Sequence, residues 1–146
     1  MVGIFPGSAR RDHKPKVMAV IDTSGSITDH LLELIDGELR RMKRAFSVTL
    51  VECDVSIHYV GKYRCRGELT GRGGTDLRPP FERAFLRRHR PDLVIYFTDG
   101  DGPAPEKAPD LPVIWCLTPG GEAPADWGRR LYMGTQKHKK YRKTGL

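Results

Sequence analysis

Two apolar runs in this chain end alike, and they constrain its fold more than any other feature. Val17-Met18-Ala19-Val20-Ile21 runs into Asp22, and Leu93-Val94-Ile95-Tyr96-Phe97 runs into Thr98, Asp99 and Gly100. A short run that is apolar at every position predicts a strand covered on both faces, as in a parallel sheet. After Asp22, Ser24 and Ser26 flank Gly25, and helical spacing begins at Ile27. The reading is a buried strand, a tight turn and a helix. One carboxylate and two hydroxyls then stand at the carboxyl end of the strand, where open α/β sheets place their ligands. Gly25 lets the backbone bend enough for these oxygens to converge. Hard oxygens suit Mg²⁺, Mn²⁺ or Ca²⁺. The plainer alternative is that Ser24 or Ser26 only caps the next helix.

A third stretch, Gly71-Arg72-Gly73-Gly74-Thr75-Asp76, is a glycine-rich loop that presents a hydroxyl. Asp-x-Ser-x-Ser, then Thr in a glycine loop, then Thr-Asp-Gly is similar to the metal-ion-dependent adhesion site of von Willebrand factor A (VWA) domains. The chain more closely resembles the VWA-like domain at the C-terminus of bacterial predicted metal-dependent peptidases. Ile21 to Ile27, Arg72 to Pro80, Tyr96 to Gly100, Leu111 to Trp115 and Trp127-Gly128-Arg129 carry that likeness. In longer members a peptidase-like region with a helical His-Glu-x-x-His-type site precedes this domain. The five His here, at 13, 30, 58, 89 and 138, never fall at that spacing.

The resemblance implies an α/β, Rossmann-like VWA domain: a mostly parallel central sheet with one antiparallel edge strand and flanking helices. It assigns Ser24, Ser26 and Thr75 as direct hydroxyl ligands of Mg²⁺ or Mn²⁺, with Ca²⁺ less suited. Asp22 and Asp99 act mainly by holding ligands or waters through hydrogen bonds. Gly25, Gly73, Gly74 and Gly100 shape the site loops, and Asp76 and Asp101 stand beside them as accessory candidates. Asp76 reads better as a helix cap and Asp101 as exposed charge on the rim. A shell of neutral hydroxyls leaves the ion electron-poor, so an acidic group of a partner protein can take the open position. The expected function is a metal-dependent protein-interaction module, non-catalytic alone. Its expected partner is an AAA+ ATPase or a peptidase-like protein.

Two other functions compete. A bound divalent ion can also activate water, so a metal-dependent hydrolase or peptidase component is the first alternative. The sequence offers it no positioned general base, nucleophile elbow or Gly-Lys-Ser/Thr phosphate loop. Nucleic-acid binding through the basic ends is the second. Of the formal charge of +7, residues 1–16 carry +3 and residues 137–146 carry +5, leaving the middle at −1. Such ends can contact acidic surfaces, but no aromatic interleaving accompanies them.

With 146 residues the chain suits one domain. We divide it into a lead-in segment (1–16), the VWA-like domain (17–133) and a basic tail (134–146), the tail being expected to lack order. No apolar run reaches the ~18 residues of a membrane span, and Met1 to Pro6 is too short for a signal peptide, so a cytoplasmic location is expected. Cys53, Cys65 and Cys116 show no disulfide or zinc spacing, and Cys53 and Cys116 fall in strand-like runs as buried thiols. A first helix is predicted from about Thr28 to Phe46, striped by Leu31, Ile35, Leu39, Met42 and Phe46. Gly37 inside it costs about 1 kcal/mol against alanine, which close packing on the sheet would explain. Val48 to Cys53 and Val55 to Val60 are separated too closely for a crossover and should pair antiparallel, the second at the edge. His58 there is expected on the surface. A short helix capped by Asp76 is predicted over 77–88, burying Phe81, Ala84 and Phe85. Strands at 93–98, 113–117 and 129–133 complete the sheet, and prolines 103, 105, 109 and 112 keep the connection at 100–112 a loop.

Overall fold

The computed structural model describes residues 14–24, 27–63 and 74–134. The calls on Gly25, Ser26, Gly73, Cys65, most of the lead-in segment and the basic tail lie outside these residues. Among the described residues the element order is β1 (Lys16–Asp22), α1 (Asp29–Met42), β2 (Ser47–Cys53), β3 (Ile57–Lys62), a 3₁₀ turn (Pro79–Phe81), α2 (Arg83–His89), β4 (Leu93–Thr98), β5 (Val113–Leu117) and β6 (Arg129–Tyr132). The sheet order is β3-β2-β1-β4-β5-β6. All neighbours are parallel except β2 and β3. The expected antiparallel edge is therefore present. The strand order reverses between β1 and β4, which puts the crevice of an open α/β sheet at their carboxyl ends.

The two faces are covered differently. On one, Leu31, Leu32, Ile35 and Leu39 of α1 pack on Ala19, Ile21, Val48, Leu50 and Phe97. Thr28 caps α1 by accepting the Leu31 N–H at 3.2 Å, and Asp29 sits in its first turn. On the other face, Phe81 stacks against Tyr96, Trp115 and Trp127 at centroid distances of 5.8, 5.7 and 5.7 Å. The Trp127 ring N–H donates to the Pro105 carbonyl at 2.9 Å. The indole thereby anchors the proline-rich connection between β4 and β5, which contains no helix. A loop held by ring burial replaces a crossover helix there.

Several expectations are corrected. α1 stops at Met42, short of Phe46, because the Arg44 and Ala45 N–H groups turn to the carbonyls three residues back, of Arg41 and Met42, at 3.3 and 3.0 Å. β3 begins at Ile57, two residues later than expected, because Asp54 to Ser56 form the turn. β6 ends at Tyr132, one residue short of the predicted end. The helix predicted over 77–88 is split. Pro79 and Pro80 lack the N–H groups that an α-helical turn needs, so a 3₁₀ turn forms first, and α2 starts at Arg83 after the extended Glu82. Asp76 therefore caps no helix. Ala84 is exposed and Phe85 half-buried, while Phe81 is buried as expected. Nothing lies within 4 Å of a Cβ built on Gly37, so close packing does not explain that glycine.

Candidate metal centre

Asp22 ends β1 fully buried. Its Oδ1 accepts the Ser24 hydroxyl at 2.5 Å and the Ser24 N–H at 3.0 Å. Its Oδ2 accepts the Thr98 hydroxyl at 2.6 Å from the end of β4. One carboxylate thus staples the first site turn to the neighbouring strand across the point where the sheet order reverses. Among the described residues no basic side chain pairs with Asp22. A buried carboxylate is costly unless it is hydrogen-bonded or paired with a cation. Here hydroxyl and amide protons supply the compensation. Because the Ser24 hydroxyl proton points at Asp22, the lone pairs of Ser24 Oγ are left for another acceptor of electrons. The Thr23 hydroxyl is buried with no hydrogen-bond partner among the described residues.

Thr98 was not among the candidates drawn from the sequence, yet it links the two strand ends. Besides donating to Asp22, its hydroxyl accepts the Gly100 N–H at 3.0 Å. Gly100 has φ +84°, and a Cβ there would fall 1.6 Å from the Glu122 carbonyl oxygen. Only glycine fits this turn. The half-buried Asp99 accepts the Asp101 N–H at 2.9 Å. Asp101 is exposed, as expected of a rim charge.

Thr75 reaches the same end of the sheet through its neighbours. A Cβ on Gly102 would lie 2.6 Å from Thr75 Cγ2, so the loop after β4 passes directly against the Thr75 side chain. The Leu77 N–H donates to the Pro103 carbonyl and the Asp76 N–H to the Asp54 carbonyl, at 2.9 and 2.8 Å. Gly74, exposed, sits beside Val55. The Asp76 carboxylate is taken by Arg78, Nε to Oδ1 at 2.9 Å and Nη2 to Oδ2 at 3.0 Å. This guanidinium holds the Asp76 pKa below the ordinary 3.8. Asp22, Ser24, Thr98 and Gly100 are therefore joined in one hydrogen-bonded chain. Asp99 follows Thr98 directly, and Thr75 packs against the next loop.

Asp54 also escaped the sequence reading. It is a third strand-end aspartate, after β2, buried, with Oδ1 accepting Ser56 N at 3.2 Å and meeting His58 Nε2 at 2.6 Å. A weaker signal was available, since the strand run Val48 to Cys53, broken by Thr49 and Glu52, also ends in aspartate. His58, expected as a plain surface residue, is exposed but paired with this carboxylate.

Outside this chain of oxygens a cleft of about 440 Å³ opens, lined by Asp99, Gly100, Asp101 and residues 118–122 from the loop after β5. The two loops meet backbone to backbone: the Glu122 N–H donates to the Asp99 carbonyl at 3.1 Å. A Cβ on Gly121 would lie 2.7 Å from that same oxygen. Among the described residues the two thiols, Cys53 and Cys116, are held protonated. Burial pushes Cys53 up to about 12 and Cys116 up to about 11, so both stay protonated at neutral pH. Among the described residues no three His, Cys, Asp or Glu side chains form a metal-binding group. A cation at the candidate centre would rest on hydroxyl oxygens supported by carboxylates. Among the described residues no helix is long and apolar enough to cross a membrane.

Comparison with known proteins agrees with the architecture. A family model described as VWA-like domain (DUF2201) matches residues 17–134. A Thermotoga maritima protein described as uncharacterized is 33% identical over 102 residues, covering 66% of this chain and 25% of that protein. The chain therefore spans about a quarter of the length of the curated relative that it matches. No solved structure matches significantly.

Proposed function

This chain belongs to the VWA-like domain (DUF2201) family, and from that premise we propose that it is a divalent-metal-dependent protein-interaction module, non-catalytic by itself. The observation that carries the reading is the buried Asp22 carboxylate, held by Ser24 and Thr98 hydroxyls at the reversal point of the sheet. Hydrogen bonds to Asp22 and Asp99 orient hydroxyls and loop amides, and Ser24, Ser26 and Thr75 are the oxygens offered to the ion. Their hard, neutral character fits Mg²⁺ or Mn²⁺ better than a soft metal. When bound, the ion supplies a Lewis-acidic position that an acidic side chain of a partner can fill. Asp22 stays inside and keeps Ser24 aimed. Asp99, at the mouth, is placed to hold a water or a ligand. An AAA+ ATPase or a peptidase-like protein is the proposed kind of partner.

Calorimetric titration of Mg²⁺ and Mn²⁺ into the wild type, Ser24→Ala and Thr75→Ala tests this reading. Saturable heat from the wild type that falls at least tenfold in apparent affinity in both variants supports it. Equal heats, or none from any of the three, would sink it.

A further inference from the structure

We propose that the cleft between the loops after β4 and β5 receives a basic side chain of the same partner whose carboxylate is taken at the metal. The recognised motif then pairs Asp or Glu with a neighbouring Lys or Arg. This rests on the metal-dependent reading above and gives that partner its second chemical feature.

Four observations carry the inference. The cleft adjoins the candidate centre, since Asp99 and Gly100 belong to both. Among the described residues, its charged lining is Asp99, Asp101 and Glu122, with no base, on a chain of formal charge +7. Asp101 and Glu122 are exposed and make no ion pair among the described residues. Thr118 lines the same cleft at only 6% exposure, and its hydroxyl has no hydrogen-bond partner among the described residues. A hydroxyl without a protein partner on the wall of a cleft can bond a ligand that enters it.

The kind of ligand follows from the spacing of the charges. These carboxylates are not gathered into a metal-binding group, so a single ion does not account for them. A volume of about 440 Å³ falls in the range of small-molecule sites and takes a long side chain. A guanidinium spreads five N–H donors over a planar fork and can reach a carboxylate and a hydroxyl at once. The arrangement also acts as a filter. Asp101 and Glu122 repel an acidic partner that brings no cation, and attract one that does.

The test is amide chemical-shift mapping on the full chain. The probes are N-acetyl-arginine amide, N-acetyl-aspartate amide and the capped dipeptides Asp-Arg and Arg-Asp, each with and without MgCl₂. Arginine amide should move the amides of residues 99–101 and 118–122 saturably. In MgCl₂ one dipeptide should bind at least ~10-fold more tightly than either single amino-acid amide. A Thr118→Val/Glu122→Gln variant should lose the arginine response while Mg²⁺ still shifts residues 22–24 and 75. No saturable shift from arginine amide in a protein that responds to Mg²⁺ overturns the cleft assignment alone. An arginine response without any response to Mg²⁺ upholds the cation pocket and retires the metal reading. Dipeptide affinity unchanged in the double variant overturns the pairing of acid and base.

Discussion

β1 and β4 lie side by side, run parallel, and each delivers an aspartate to the same end of the sheet, yet the two aspartates live in different physical settings. Asp22 is fully buried, and its oxygens are occupied by Ser24 and Thr98. Asp99 is half-buried at the mouth of a cleft, with one oxygen bonded to a loop N–H. The turn after β4 is forced by Gly100 at φ +84°, while Asp22 itself holds its turn by bonding Ser24. Two nearly identical sequence signals therefore produce one carboxylate that organises and one that is offered. The lesson is that a strand-end aspartate takes its role from what its neighbours can donate to it.

The sharpest way to break this comparison is at the β4 turn. Gly100→Ala places a methyl group against the Glu122 carbonyl in a backbone conformation alanine avoids, and should cost about 3 kcal/mol in urea unfolding. A wild-type midpoint would show that the turn is not glycine-dependent. Next, Asp22→Ala strips the buried Thr98 hydroxyl and the half-buried Ser24 hydroxyl of their acceptor and should cost about 2 kcal/mol without metal. Asp22→Asn keeps an acceptor and sheds the charge, so it should cost less than half as much, yet abolish stabilisation by Mg²⁺. Equal losses in both Asp22 variants would mean that charge, rather than hydrogen bonding, sets its role. Gly37→Ala is a control remote from both aspartates. With open space at its Cβ, it should gain about 0.5–1 kcal/mol and leave any Mg²⁺ response unchanged.

Two smaller effects sharpen the contrast. Asp99→Asn retains the oxygen that the Asp101 N–H uses, so stability should move by no more than about 0.5 kcal/mol while metal-dependent binding weakens. A loss comparable to that of Asp22→Ala would erase the distinction between the two residues. The smallest effect belongs to Asp76, whose folded pKa is lowered by Arg78. A lowered carboxylate pKa contributes stability that is present above the unfolded value of 3.8 and is lost as pH falls through the folded value. The wild type should therefore lose an increment of stability below pH 3.8 that Asp76→Asn never had, read from urea midpoints across acid pH. The pair is largely solvated, so the increment is small.

Much of this was legible along the chain. Strands β1, β4 and β5 were plain because runs buried on both faces have no polar residue to blur them. The antiparallel edge followed from a connection too short for any crossover. The helix predicted over 77–88 was not legible as it stands, because Pro79 and Pro80 are compatible with a helix's first turn, and the extended Glu82 that separates the 3₁₀ turn from α2 leaves no mark in the periodicity. The sequence shows Thr98 in the Thr-Asp-Gly motif but not its role, and does not single out Asp54, for another reason. A buried threonine at a strand end looks like any β-branched strand residue until a carboxylate from another strand is found opposite its hydroxyl. Glu122 and Thr118 sit in a loop with no pattern, and nothing local points to the residues around Asp99.

The order of residues by itself settled the layered α/β architecture, the antiparallel edge and the oxygen-bearing turns proposed as a site, because burial, chain reach and side-chain chemistry are properties of short stretches. The folded chain alone decided that Asp22 is closed by Thr98, that Asp76 serves Arg78, and that the loop after β5 joins Asp99 to form a cleft. Those are contacts between segments distant in sequence. They are fixed by which strands lie side by side, a choice made by the packing of the whole sheet rather than by any stretch within it.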